Sequence, residues 1–102
     1  MKLVVLESPY AGEIGRNVDY ARRCVKDSLE RGEAPIASHL LYTQKGILDD
    51  SKPNERALGI DAGLAWLKVA DLHVFYVDYG ISPGMQYAIE NTELTIEFRE
   101  IL

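Results

Sequence analysis

The residues best suited to hold a small ligand lie in the loop Asp78 to Met85, which follows the apolar run Leu72 to Val77. The end of this loop has the composition of a helix start: Ser82 is a good N-cap, Pro83 suits the first helical position, and Gly84 lets a ligand approach the backbone. Free N–H groups at such a start attract an anion or a hydroxyl. We therefore predict a nucleotide- or sugar-binding loop here; the alternative is that Ser82, Pro83 and Gly84 only start a helix.

A similar loop, Ser8-Pro9-Tyr10-Ala11-Gly12, follows the first apolar run of the chain. Tyr10 either stacks on a base or contacts a sugar, or it only covers the end of the sheet. Asn17 follows the loop by about one helical turn and either reaches the same pocket or is an ordinary surface residue. The two loops together predict a single pocket that both of them face.

Few other side chains are candidates for chemistry. His39 is either a surface loop residue or a ligand contact. Asp49 and Asp50 are expected to be solvated loop charges, because no companion ligands stand at a recognisable metal spacing. The single cysteine, Cys24, excludes an internal disulfide and a thiolate metal site, and we expect it to be a packing residue. No metal and no cofactor are predicted.

Seven elements must position these loops. Strands are predicted at residues 3–7, 34–37, 72–77 and 94–98, because short apolar runs stand there between turn residues. Helices are predicted at residues 14–31, 53–70 and 83–91 from apolar residues spaced three and four apart. In the first helix these apolar residues are Ile14, Val18, Ala21, Val25 and Leu29.

The order β-α-β-α-β-α-β predicts an α/β fold of the small Rossmann-like (flavodoxin-like) type. We expect a four-stranded, mainly parallel sheet flanked by three helices, formed by residues 1–102 as a single domain. Ligands bind to such sheets beyond the carboxyl ends of the strands. Both serine-proline loops follow strands and therefore lie at that edge.

Composition limits the possible partners. The chain is 47% hydrophobic and 26% charged, as in an ordinary globular protein. A net charge of −5 disfavours a polynucleotide partner, which would need a basic surface stripe. The first apolar run is too short for a signal sequence or a membrane span, so we expect a cytoplasmic protein without a membrane partner.

Several motifs together resemble the nucleoside 2-deoxyribosyltransferase-like superfamily. They are Ser-Pro-Tyr-x-Gly after the first strand, a helix containing Asn17, a short Ala-Pro strand, Ala70-Asp71 before an apolar strand, and Ser-Pro-Gly-Met opening a helix. The pattern covers nearly the whole chain and is most similar to the small, uncharacterised, often phage-encoded branch. The resemblance implies a nucleoside or nucleotide ligand. The expected contacts are Ser8, Pro9, Tyr10, Gly12, Asn17, His39, Asp78, Ser82, Gly84 and Met85.

The resemblance also implies a glutamate nucleophile on the helix after the second loop, but this chain departs from that pattern. Aligned on Ser-x-Gly, the nucleophile position is Ala88, and in a register shifted by two it is Gln86. Neither residue can form the covalent glycosyl intermediate, which needs a carboxylate. Glu90, or otherwise Asp78, is the acid that would have to replace it, and Glu90 would require a shifted helix.

Three functions remain open from the sequence. The first is a protein that binds or sequesters a nucleoside or nucleotide, including a signalling nucleotide, without turnover. The second is a divergent N-glycosidase or deoxyribosyltransferase acting on deoxynucleosides or their monophosphates. The third is a small homo-oligomeric interaction module with a vestigial pocket.

A homo-oligomer, at least a dimer, is expected for two reasons. A four-stranded sheet in 102 residues leaves edges and helix faces that it cannot cover alone. The resembled superfamily assembles through its helices, with pockets completed by the partner subunit. Gly59, Gly63 and Trp66 mark the helix that we expect at the interface.

Overall fold

The sheet consists of four parallel strands in the order β2-β1-β3-β4, in a computed structural model that describes residues 1–102. The strands are β1 (Lys2–Glu7), β2 (Glu33–Ile36), β3 (Leu72–Tyr76) and β4 (Ile96–Arg99). This order buries β1 and β3 in the centre and leaves β2 at an edge, where its Pro35 is tolerated. The predicted α/β fold is confirmed, and the sheet is wholly parallel.

Four α-helices accompany the sheet, so the prediction of three was wrong. They are α1 (Ile14–Glu30), α2 (Ser38–Leu41), α3 (Pro53–Ala65) and α4 (Pro83–Glu90). The additional helix, α2, lies in the segment that we predicted to be a loop. The predicted helix 53–70 ends at Ala65, because the chain tightens there into the 3-10 helix Trp66–Lys68. No helix in the structure combines the length and the apolar character of a membrane span.

Helix α1 covers one face of the sheet. Its Tyr20 and Cys24 pack with Val4, Leu6, Val74 and Tyr76 of the central strands, which confirms the packing role of Cys24. The predicted apolar stripe is confirmed only at its centre: Ala21 is buried and Val25 packs on the core, whereas Ile14 and Leu29 are about half exposed. Polar residues such as Asn17 and Ser28 can lie on the inner face of α1 because their side chains form hydrogen bonds there. The buried residues of α1 are Asn17, Tyr20, Ala21, Cys24 and Ser28.

A buried ion pair joins the two edges of the sheet on the α1 side. Arg99 of β4 donates to both carboxylate oxygens of Glu33 at the start of β2, at 2.8 and 2.7 Å. Ser28 of α1 also donates to Glu33, at 2.7 Å. The hydrogen bonds from Arg99 hold the pKa of Glu33 below its usual value, although burial opposes this.

The opposite face of the sheet is covered by α4, whose Met85 and Ala88 pack on Phe75. Helix α3 packs mainly on α2. A Cβ atom at Gly63 would lie 2.9 Å from Cβ of Ser38, so this glycine, which we expected at a subunit interface, instead lets α3 lie close to α2 within the chain. Gly63 is the only buried residue of α3, and one side of that helix lines a cavity.

The last strand begins two residues later than predicted, at Ile96 instead of Leu94. The backbone N–H of Leu94 is directed to the hydroxyl of Thr92, at 3.2 Å, so this residue belongs to a turn. The strand continues through Arg99, whose backbone carbonyl accepts the N–H of Val77.

Candidate functional site

A cavity of about 320 Å³ lies where β1 and β3 end and α4 begins. The first loop contributes Ser8 and Tyr10 to its wall, and the second contributes Ser82, Gly84 and Met85. Both loops therefore face one cavity, as the sequence predicts. The position agrees with the ligand sites of open α/β sheets, which lie beyond the carboxyl ends of the strands.

Apart from His39, which was among the expected contacts, the remaining walls come from residues that we did not assign to the site. The cavity-lining residues of α3 are spaced three and four apart in sequence, so they share one face of that helix. Asp50, which we expected to be a solvated loop charge, also lies on the cavity. The lining residues from α2, α3 and the segment between them include His39, Tyr42, Thr43, Leu48, Asp50, Glu55, Arg56, Gly59, Ile60, Gly63 and Leu64.

Ser8 and His39 form a hydrogen-bonded pair on the cavity wall, with 2.6 Å between the serine Oγ and the histidine Nε2. The structure places His39 in α2 and not in a surface loop. Burial lowers the pKa of His39, and the nearby Glu7 carboxylate opposes that shift only in part. The Nδ1 atom of His39 is buried and has no hydrogen-bond partner within the chain. Through its other nitrogen, His39 positions the Ser8 hydroxyl on the cavity wall.

Glu7, the last residue of β1, brings a carboxylate to the cavity. Its Oε2 lies 2.8 Å from Nε2 of His73, whose side chain is fully buried. Its Oε1 has no hydrogen-bond partner within the chain, and the Glu7 side chain is 17% exposed. Sequence reasoning missed Glu7 because it was assigned only to the strand. Its position directly before the first loop was the signal that could have identified it.

The start of α4 offers fewer donors than the sequence suggests. The hydroxyl of Ser82 accepts the backbone N–H of Met85 at 3.3 Å, which confirms Ser82 as the N-cap. The N–H of Gln86 bonds to the carbonyl of Ser82, and Pro83 has no N–H. Among these first residues, only the N–H of Gly84 has no hydrogen-bond partner within the chain.

Three predicted contacts from the first loop and α1 lie behind the cavity instead of on it. Asn17 is buried, and its side-chain amide donates to the carbonyls of Tyr10 and Ala11 at 2.9 and 3.2 Å. Pro9 is buried in the loop, and Gly12 supplies the positive φ of 93° that the turn needs. These residues shape the loop, and none of the three lines the cavity.

Asp78 also lies outside the cavity lining, because its carboxylate is fully occupied elsewhere. It accepts the Tyr20 hydroxyl at 2.6 Å and the backbone N–H groups of Ile101 and Leu102 at about 3 Å. Burial alone would raise its pKa, but these hydrogen bonds outweigh burial and keep the pKa low. Asp78 thus fastens the C-terminal residues to the sheet.

Helix α4 presents no carboxylate to the cavity. Ala88 is buried against the sheet, and Gln86 is exposed, with its amide donating to Glu90 at 3.1 Å. Glu90 is exposed and does not line the cavity. The carboxylates on the cavity wall are instead those of Glu7, Asp50 and Glu55.

Over residues 2–100 the sequence matches a family described as "Domain of unknown function (DUF7768)". The chain belongs to this family. No curated protein and no solved structure matches the chain. The resemblance to the deoxyribosyltransferase-like superfamily therefore stays a prediction, and the function of this DUF7768 protein has to be argued from its cavity.

Proposed function

We propose that this DUF7768 chain binds a nucleoside or nucleotide in the cavity and holds it without turnover. The observation that carries the proposal is that the loops after β1 and β3 line one cavity at the carboxyl edge of a parallel sheet. Its volume of about 320 Å³ is at the lower end of the range for small-molecule sites. A ligand of nucleoside size is therefore favoured over a larger one.

The side chains on the cavity match the parts of a nucleoside. Tyr10 and Tyr42 supply aromatic rings, on which a base can stack. Ser8, His39 and Glu7 supply polar atoms for the hydroxyl groups of a sugar. Apolar and polar groups thus line one cavity, as in other small-molecule sites.

Thermal unfolding and calorimetric titration with a panel of nucleosides and nucleotides would test this proposal. We expect at least one of them to stabilise the chain, because a ligand that binds only the folded state raises the unfolding temperature. Tyr10→Ala should weaken that binding, whereas Tyr87→Ala, on an exposed part of α4 away from the cavity, should not. If no nucleoside or nucleotide stabilises the protein, the proposal fails and the vestigial interaction module is favoured.

A second candidate, a divergent N-glycosidase or deoxyribosyltransferase, is favoured by the position of Glu7. This carboxylate lies on the cavity, whereas Glu90 does not. Glu7 would attack the anomeric carbon as the base departs, and water or a second base would then release the sugar. Chromatography for free base after incubation with deoxynucleosides and their monophosphates tests this. Release that Glu7→Gln abolishes and Glu90→Gln preserves would favour the enzyme, and absence of release excludes it.

We also propose that a second copy of this chain covers the outer face of α3. Leu58, Trp66 and Val69, on α3 and directly after it, are 59%, 43% and 59% exposed. The opposite face of α3 lines the cavity, so a subunit packed there would also steady the site. Sedimentation should show a dimer that Leu58→Glu dissociates. Leu29→Glu, at a 51% exposed position on α1, is the matched control.

A further inference from the structure

We propose that the cavity selects the unphosphorylated nucleoside over its phosphates, and that Glu7, positioned by His73, is the residue that determines this specificity. The inference rests on the proposed binding function and narrows its ligand class to neutral molecules that offer hydroxyl donors. Neither the family description nor the sequence motifs assign a role to Glu7.

The charges on the cavity wall oppose a phosphate. Three carboxylates line it, those of Glu7, Asp50 and Glu55, against the single guanidinium of Arg56. Lys52, which does not line the cavity, lies 3.7 Å from Glu55 and offsets part of that charge, so Glu7 and Asp50 carry most of the repulsion. Burial lowers the pKa of His39, so the imidazole adds no positive charge near pH 7. A phosphate monoester carries a charge of about −1.5 to −2 at that pH and would be repelled.

The start of α4 does not compensate for this repulsion. A helix N-terminus binds phosphate through several free N–H groups. Here the Ser82 side chain and carbonyl already accept the N–H groups of Met85 and Gln86, which leaves that of Gly84. Arg56 is the only cationic side chain on the wall, and it is exposed to solvent. The backbone N–H groups of Tyr10 and Ala11 in the first loop are uncharged donors and do not offset the carboxylates.

Glu7 is held in the geometry that hydroxyl recognition needs. Its Oε2 is fixed at 2.8 Å from the fully buried His73, so the carboxylate cannot rotate freely. Its Oε1 makes no hydrogen bond within the chain, and because Glu7 lines the cavity this oxygen can accept hydrogen bonds from the hydroxyl groups of a ligand. A carboxylate that accepts from ribose hydroxyls is a recurring solution in α/β folds. His73 therefore acts as a positioning residue and Glu7 as the contact.

Calorimetric titration of the full chain with each common nucleoside and its 5′-monophosphate tests the inference. We expect the best nucleoside to bind at least about tenfold more tightly than its monophosphate at low ionic strength, with a smaller difference at high salt. Glu7→Gln should weaken nucleoside binding by roughly 10- to 100-fold, as expected for a hydrogen bond to a charged group, and should bring the two affinities together. The control Glu90→Gln removes an exposed carboxylate away from the cavity and should change neither affinity.

A second variant covers the case in which Glu7→Gln does not fold. Asp50→Asn removes a cavity charge without disturbing His73 and should strengthen monophosphate binding relative to nucleoside binding, so that the ratio of the two affinities falls. A wild-type protein that binds the monophosphate as tightly as the nucleoside overturns the inference but leaves the proposed function intact. Unchanged nucleoside affinity in folded Glu7→Gln also overturns it. Absence of binding to every nucleoside and nucleotide overturns both.

Discussion

Replacing Gly63 by alanine should destabilise the protein, because α3 lies directly against α2 at this residue. The added Cβ would stand 2.9 Å from Cβ of Ser38 and closer still to the Oγ of the same side chain. Rotation of the serine can move Oγ but not Cβ. The contact can therefore be relieved only if the two helices move apart, and that movement would also change the cavity, which both residues line.

The expected change in the free energy of unfolding of Gly63→Ala combines two opposing effects. Overpacking of this kind costs about 1–3 kcal/mol, while alanine is favoured over glycine in a helix interior by about 1 kcal/mol. Gly15→Ala, in the first turn of α1, is the reference substitution without overpacking, because no atom lies within 4 Å of the added Cβ. At Gly59 the nearest atom is the flexible end of Leu48, at 3.3 Å, so its replacement should be close to neutral.

Urea and thermal unfolding followed by circular dichroism would measure these three variants. We expect Gly63→Ala to be less stable than Gly15→Ala by about 1–3 kcal/mol, the overpacking effect alone. Each 1 kcal/mol corresponds to roughly 4–8 °C in Tm for a domain of this size. A Gly63→Ala protein as stable as Gly15→Ala would refute the packing of α3 on α2, and with it the position of the cavity wall.

Three further outcomes are expected. Tyr20→Phe removes the hydroxyl that donates to Asp78 at 2.6 Å and should lower the free energy of unfolding by about 1.5–3 kcal/mol in urea titrations; an unchanged midpoint would contradict this. Because the folded-state pKa of Glu33 lies below its usual value, its stabilisation is present above the unfolded pKa of about 4.3 and is lost as pH falls through the folded value. Tm should therefore fall between pH 5 and pH 3, and a flat profile would count against the ion pair. Arg99→Met, which leaves Glu33 buried without its partner, should cost about 3–5 kcal/mol at pH 7 in the same assay.

The sequence was sufficient for the sheet because its signals are local. Each strand is a short apolar run bounded by turn residues, and the connections between strands are long enough for parallel crossovers. Helix α2 could not be predicted in the same way, since four residues are too few to show helical periodicity. The inner face of α1 was predicted only in part, because the buried Asn17 and Ser28 are polar and only the folded structure reveals that their side chains make hydrogen bonds.

The site was predicted in part for the same reason. The two loops are local patterns, and both were found. The orientation of the Glu7 carboxylate depends on His73, which is 66 residues away in the chain. The Asp78 carboxylate is kept out of the cavity by hydrogen bonds from Tyr20 and from backbone N–H groups near the C-terminus. Pairings of this kind are created by the tertiary fold and leave no periodic signal in the sequence.

The most direct test of the proposed binding function is an NMR titration of the isotope-labelled protein with nucleosides. Saturable shifts are predicted for backbone amides of both cavity loops, at Ser8 and Tyr10 in the first and at Gly84 and Met85 in the second. Amides of the exposed end of α4, near Glu90, should stay unchanged. Shifts confined to residues outside the cavity, or no shifts with any nucleoside or nucleotide, would contradict the account.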